Sequence, residues 1–345
     1  MRQGTSGVRL LVAALVAGAA AAVVAGGGVE PFAFLTSDIR LDFDDRDRLD
    51  AGKAVVKVLP GAGLDLAVVA AARTDAPPDR LIAWTSDIAA LQQGRYVSVI
   101  ARFSDPPRID DLDALALDES DLSDLRSCRP GDCGIKLSAG EIARLQQHIG
   151  VHADWKGEVQ LEFRRVVLDR VVAYLADGDF GLPPYNDDPM PVVADVEVAA
   201  LIDRLGLITP RLPGLAAYLQ LFPRVDHPNV VESFLYWSRE TLGVKPITSV
   251  THVTLLRSEA AGWPSALVIS KQVLATHYRN GAVSVTAIAG SGAQQYLVYL
   301  HRSHVDMLQG LFGGLVRRVI ERRVRDEAPA LLNRVRGRLE GGEPP

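Results

Sequence analysis

Six polar side chains in the C-terminal third carry the pattern best suited to chemistry: His252, Lys271, His277, Tyr278, Tyr299 and Arg302. They fall on three segments that read as strands of one meander. Adjacent strands bring several of them within reach of one another, subject to register. A positioned imidazole and phenol can move protons, which makes His252, His277 and Tyr299 the acid–base candidates. The same groups inside an apolar cavity orient a ligand's head group, and Trp237 and Tyr236 can line that cavity. Two plainer uses stay open. The polar groups can satisfy one another or water at a sheet rim, and the aromatics can be ordinary core.

Other chemistries lack their motifs. No G-x-S-x-G elbow is present. "AGSGA" (289–293) mimics its glycines but lies in a hairpin rather than between a strand and a helix. There is no phosphate-binding loop and no G-x-G-x-x-G. "FGGL" (312–315) precedes a helix and can expose N–H groups to an anion, but adjacent glycines more often let the chain turn and pack closely. His148 and His152 are four apart, but Gly150 between them should end the helix that would present both to a metal. His301 and His304 have opposite strand parity. The expectation is no metal and no cofactor.

The elements that must position these residues follow from periodicity. "KAVVKVL" (53–59) and "LDLAVVAAAR" (64–73) read as a hairpin around "PGAG". Residues 74–92 read as a proline-led helix with Leu81, Trp84, Ile88 and Leu91 on one face, and "RYVSVIARF" (95–103) as a strand. An acidic irregular stretch follows (105–125). Helices are expected at 138–149, opened by a Ser138/Glu141 capping box, and at 155–176, 195–206 and 213–221. From 230 the period becomes two. Five strands are expected: "VVESFLYWSRE", "ITSVTHVTLL", "SALVISKQVLATHY", "AVSVTAIAG" and "QYLVYLHRSHV". Asn280-Gly281 signals the hairpin between the third and fourth of these. A helix over 314–339 closes the chain, kinked or split by Pro329.

The N-terminus decides compartment. Arg2 and Arg9 precede an uncharged run, residues 10–25, with Val23 and Ala25 at the −3 and −1 positions of a cleavage site. This is signal-peptide anatomy, with an uncleaved anchor as the alternative. Residues 26–37 read as a tether. Export makes a disulfide the favoured state of Cys128 and Cys133 in "SCRPGDC", since oxidising compartments preserve such bonds. The spacing is not that of a C-x-x-C redox pair. With 345 residues, 48% of them hydrophobic and 23% charged, the chain can bury a large core. A net charge of −5 argues against general nucleic-acid binding. The arginines of 317–338 form either a solvated face paired with the acidic 105–124 segment, a contact for anionic lipid, or a protein contact.

The order strand, proline-led helix, antiparallel strands, long C-terminal helix resembles the helix-grip fold of the START-like (SRPBCC) superfamily. Residues 68–88 resemble its first strand and helix, and 296–324 its last strand and closing helix. With "CRPGDCGIKL" and "SKQVLATHY", the wider chain also resembles a family of exported bacterial proteins, a resemblance that implies no activity. The helix-grip resemblance implies an α+β fold: an antiparallel sheet grips the C-terminal helix, and an apolar ligand sits between them. It implies one domain over 38–340; the chain departs from the superfamily's pattern in a mostly helical insertion, 104–215. The expected function is an exported, periplasmic or secreted binding protein for a lipid or other hydrophobic molecule. A cofactor-free cyclase or hydrolase, or a structural envelope protein, are the alternatives. In the expected fold, Leu315, Val319, Val324 and Leu331 face the sheet, while Arg318, Arg322 and Arg325 point outward.

Overall fold

The computed structural model describes residue 32 and residues 41–205, 212–241, 245–259, 263–291 and 294–341. The expected leader and nearly all of the tether lie outside the described residues. Nine helices and eight strands are described. The helices are α1 (Phe43–Asp50), α2 (Pro78–Ser86), α3 (Ile88–Gln92), α4 (Glu119–Leu125), α5 (Ala139–Gln146), α6 (Trp155–Asp177), α7 (Ala194–Asp203), α8 (Leu215–Leu221) and α9 (Gly313–Glu340). The strands are β1 (Val55–Leu59), β2 (Asp65–Arg73), β3 (Val97–Arg102), β4 (Val230–Glu240), β5 (Ile247–Arg257), β6 (Ala266–Ala275), β7 (Arg279–Ser291) and β8 (Gln294–Val305).

All eight strands form one antiparallel sheet in the order β1-β2-β8-β7-β6-β5-β4-β3. The expected joining of 53–73 and 95–103 to the later meander is therefore present, across the helices of the insertion. Alternation along each strand sends side chains to two faces, and each face meets helices. One face carries Ala70, Ala72, Phe234, Val253, Val268, Ile288 and Leu297, packed with α2, α3 and Leu332 and Leu339 of α9. This is the grip face of a helix-grip arrangement. The other carries Ala67, Val69, Val283, Val285, Val298 and Leu300 against α7 and α8, and Leu235, Trp237 and Val250 against α5 and α6. This is the insertion face. An antiparallel sheet often leaves one face wet; here the insertion covers it.

Helix starts follow the expected caps. Ser138 and Glu141 bond reciprocally at α5, and Asp118 caps α4, which lies inside the stretch expected to be irregular. Residues 74–92 are two helices instead of one. Asp87 leaves helical geometry (φ −101°, ψ 72°) and caps the second with its own carboxylate. The β6–β7 connection also differs from expectation. Thr276, His277 and Tyr278 make the turn, with Tyr278 at φ 64°. Asn280-Gly281 lies inside β7, at the register shift opposite β8. A side chain at Gly281 would meet Glu197 and Leu201 of α7 at 3.3 Å, so this glycine serves close packing and not the turn.

The closing helix presents a different face from the one expected. Leu315 and Val319 are each 60% exposed. The inward residues are their neighbours: Val316 and Ile320 pack on Leu66, Val305 and Leu308, and Leu332 and Leu339 enter the grip-face core. Val324 and Leu331 are half-buried, and Arg318, Arg322 and Arg325 are exposed as expected. The apolar pattern of α9 supports two stripes, and only one can meet the sheet. Pro329 does not split α9, which runs through it to Glu340. The Val319→Asp variant should keep its stability within about 0.5 kcal/mol of wild type, as at an open surface site. Leu332→Ala should cost about 2 kcal/mol or more. Urea unfolding of the two variants checks this pair of outcomes.

Candidate functional site

The structure distributes the expected site residues over both faces of the sheet, and most of them tie the insertion down. His252 lies on the insertion face, its Nδ1 2.6 Å from the Tyr174 hydroxyl of α6 and its Nε2 2.6 Å from Ser233 Oγ. Lys271 Nζ donates to Asp179 Oδ2 and to the Leu219 carbonyl, both at 2.8 Å. His277 Nε2 is 3.2 Å from the Asp121 carboxylate of α4. The Tyr278 hydroxyl accepts from the Lys245 amide at 2.8 Å. Trp237 is core, and its indole donates to the Asp111 carbonyl at 2.8 Å. Arg302 donates to Asp65, which Arg204 also reaches. Of the seven expected residues only Tyr299 lies on the grip face.

Burial fixes the charge of His252 and of its partner Tyr174. Burial, then the Lys271 charge, pushes His252 down to about 3, so its ring is neutral at ordinary pH. Tyr174 is held well above the usual phenol range by burial, with the Asp179 carboxylate adding to it. Asp179 is brought under the sheet by the turn that ends α6. Gly178 sits there at φ 64°, where a side-chain carbon would fall 1.8 Å from the Phe222 carbonyl. The disulfide between Cys128 and Cys133 is formed within the same insertion. It is compatible with an oxidising compartment.

His252 gives a pH prediction. Its folded value near 3 lies below its ordinary 6.5, so the unfolded chain binds the extra proton between these values. The contribution is complete above about pH 6.5 and lost as pH falls towards 3, at up to about 1.4 kcal/mol per unit. In denaturant titrations between pH 7 and 4, His252→Gln should show a shallower loss than wild type. Parallel curves would mean that the ring is not buried neutral.

The grip face holds a second cluster, composed of residues that the sequence patterns did not single out, Tyr236 and Tyr299 apart. Arg279 Nη2 donates to Glu240 Oε2 at 3.0 Å. Glu240 Oε1 accepts from Ser249 Oγ at 2.5 Å and from Ser238 Oγ at 3.3 Å. Burial raises the Glu240 carboxyl, but Arg279 and these hydroxyls outweigh it and hold it below its ordinary value. Tyr299 and His301, two residues apart on β8, project to the same face with their rings parallel at 6.2 Å. Burial pushes Tyr299 up to about 12, opposed by the Ser284 hydroxyl and Arg279. Burial pushes His301 down to about 4, with Arg279 acting in the same direction. Tyr236 is held above its ordinary value by burial and by the Glu240 charge.

Two polar atoms at this cluster have no hydrogen-bond partner among the described residues: Gln272 Oε1 and Arg279 Nε. Gln272 is 7% exposed, and its amide nitrogen reaches only the Arg279 carbonyl, at 3.4 Å. Buried polar atoms are ordinarily paired, so an orphaned acceptor on Gln272 and an orphaned donor on Arg279, two residues already in contact, are features to explain. The strip therefore offers one free donor, one free acceptor, a protonated phenol and a neutral imidazole. Strand parity is the signal that could have found it: Tyr236, Glu240, Gln272, Tyr299 and His301 all fall on the grip-face register, whereas His252, Lys271 and Arg302 fall on the other. Among the described residues, no three His, Cys, Asp or Glu side chains are grouped as metal ligands.

No protein-family model matches the chain, and no curated protein matches it. Solved structures similar to part of it include the following two. One is TTHA0849 from Thermus thermophilus, 13% identical over 41% of this chain and 86% of its own, with a TM-score of 0.24. The other is the Zhui aromatase/cyclase from Streptomyces sp. R1128, 16% identical over 42% of this chain and 87% of its own, with a TM-score of 0.25.

Proposed function

We propose that the chain is an exported binding protein for an apolar small molecule or lipid, held on the grip face with an oxygen-bearing head group at Gln272 and Arg279. The orphaned pair of buried polar atoms carries this reading. An anionic or carbonyl oxygen would accept from Arg279 Nε, and a hydroxyl would donate to Gln272 Oε1. The apolar side chains beside the strip, Val253, Val268, Leu297 and Leu332, would take the hydrocarbon part. Native mass spectrometry of the purified full chain should show a retained organic molecule that organic solvent extracts. A protein that is uniformly at its sequence mass, and that no apolar probe enters, would contradict the reading.

A catalytic use of the same strip has one observation in its favour. Tyr299 stays protonated and His301 stays neutral side by side, the states needed for a proton donor and a proton acceptor. Tyr299 is retained from the expected acid–base set. His252 and His277 are engaged on the insertion side of the sheet. Chemical change in the bound molecule, abolished in Tyr299→Phe while binding persists, would support the enzyme reading.

A further inference from the structure

The outward stripe of α9 is continuous with an apolar corner of the molecule. Leu311 is 100% exposed, Phe312 74%, Leu315 and Val319 60% each, and Met307 41%. Isolated exposed apolar residues are ordinary, but five clustered on one loop and two helical turns are not. Phe312, Leu315 and Val319 follow helical spacing, and Arg318, Arg322 and Arg325 flank them on the side turned away from the sheet. Residues 313–327 hold five arginines against three acids, in a chain of net charge −5. Arg322 reaches Asp326 only at 3.8 Å, and Arg318 has no ion-pair partner among the described residues.

We infer that this corner docks on an anionic lipid bilayer, with Leu311, Phe312, Leu315 and Val319 entering the head-group boundary and the arginines contacting lipid phosphate. Apolar insertion and attraction to anionic lipid are the two terms of interfacial binding, and this corner supplies both. A second copy of the chain is the other occupant an apolar face can take. Two-fold pairing through the same stripe would bring the arginines of both copies together, which the charge opposes. A bilayer rich in phosphate is complementary. The inference is independent of what the grip face binds.

The test uses the full chain with Phe312→Cys labelled with an environment-sensitive fluorophore, the two native cysteines being bridged. Val231→Cys, at an exposed position of β4, serves as the control site. Vesicles of phosphatidylcholine mixed with phosphatidylglycerol should shift the label at 312 to the blue and expose it to a membrane-borne quencher, with the label at 231 unchanged. Pure phosphatidylcholine should bind at least about tenfold more weakly, and adding Arg318→Glu with Arg322→Glu should weaken binding to the anionic vesicles by a similar factor. Three results would overturn the inference. One is no response at 312. Another is an equal response at 231, which places the contact elsewhere in the chain. The last is a concentration-dependent blue shift at 312 without vesicles, which assigns the face to a second copy.

Discussion

Asp179→Asn should lower the unfolding free energy by about 3–5 kcal/mol, among the largest losses available to a single substitution in this chain. Asp179 and Lys271 are almost wholly buried, 2.8 Å apart, with side chains 1% and 2% exposed. Burial pushes the carboxyl up and the amine down, so desolvation outweighs their mutual attraction. The pair itself therefore adds little over apolar residues of the same size. Removing one charge is a different matter, because the Lys271 ammonium then stays under the insertion with neutral partners alone: the Leu219 carbonyl, the Tyr174 ring and the amide oxygen of the new side chain. Lys271→Met with Asp179→Leu should recover most of the loss, since it removes both charges. Chemical denaturation of the single and double variants measures this. A single variant within 1 kcal/mol of wild type, well short of the expected range, would mean that water reaches the pair and the insertion does not seal this face.

Gln272→Leu should have effects of opposite sign on stability and on binding. Its Oε1 is buried and unpartnered, so replacing the amide by an apolar group of similar shape removes a desolvation cost. Stability should stay level or rise by about 1 kcal/mol. Affinity for an apolar probe with an oxygen-bearing head group should fall by about fivefold to a hundredfold, the equivalent of one buried hydrogen bond lost. A residue conserving structure would lose stability on removal, whereas a binding residue at a strained site gains it. Anilinonaphthalene sulfonate, which joins an apolar ring system to an anionic oxygen group, is a suitable probe. Unchanged affinity in a stably folded Gln272→Leu would remove Gln272 from the site.

The strands and the long helices of this fold were legible because each repeats one period over many residues. "ITSVTHVTLL" alternates as a two-faced strand must, and the 155–177 helix keeps Val159, Phe163, Val166 and Val167 at helical spacing. The faces were less legible. Both faces of the sheet are buried, so alternation of polar and apolar residues no longer separates inside from outside. His252 and Lys271 looked like cavity groups because nothing local announces that Tyr174 and Asp179, some 80 to 90 positions away in sequence, supply their partners. In α9, Leu315 and Val319 have the same spacing as Val316 and Ile320, and only tertiary contact chooses between the stripes. Gly281 failed as a turn signal for a similar reason: α7 approaches too closely for a side chain, and that approach is long-range.

The proposed function requires that the grip face, and not the histidine and lysine cluster under the insertion, takes the ligand. Imidazole resonances of His301 and His252, assigned with single-histidine variants, report on the two faces in one sample. On adding anilinonaphthalene sulfonate, the His301 resonances should move in proportion to occupancy and those of His252 should stay in place. Movement of His252 with His301 unchanged would put the ligand on the insertion face and overturn the proposed site.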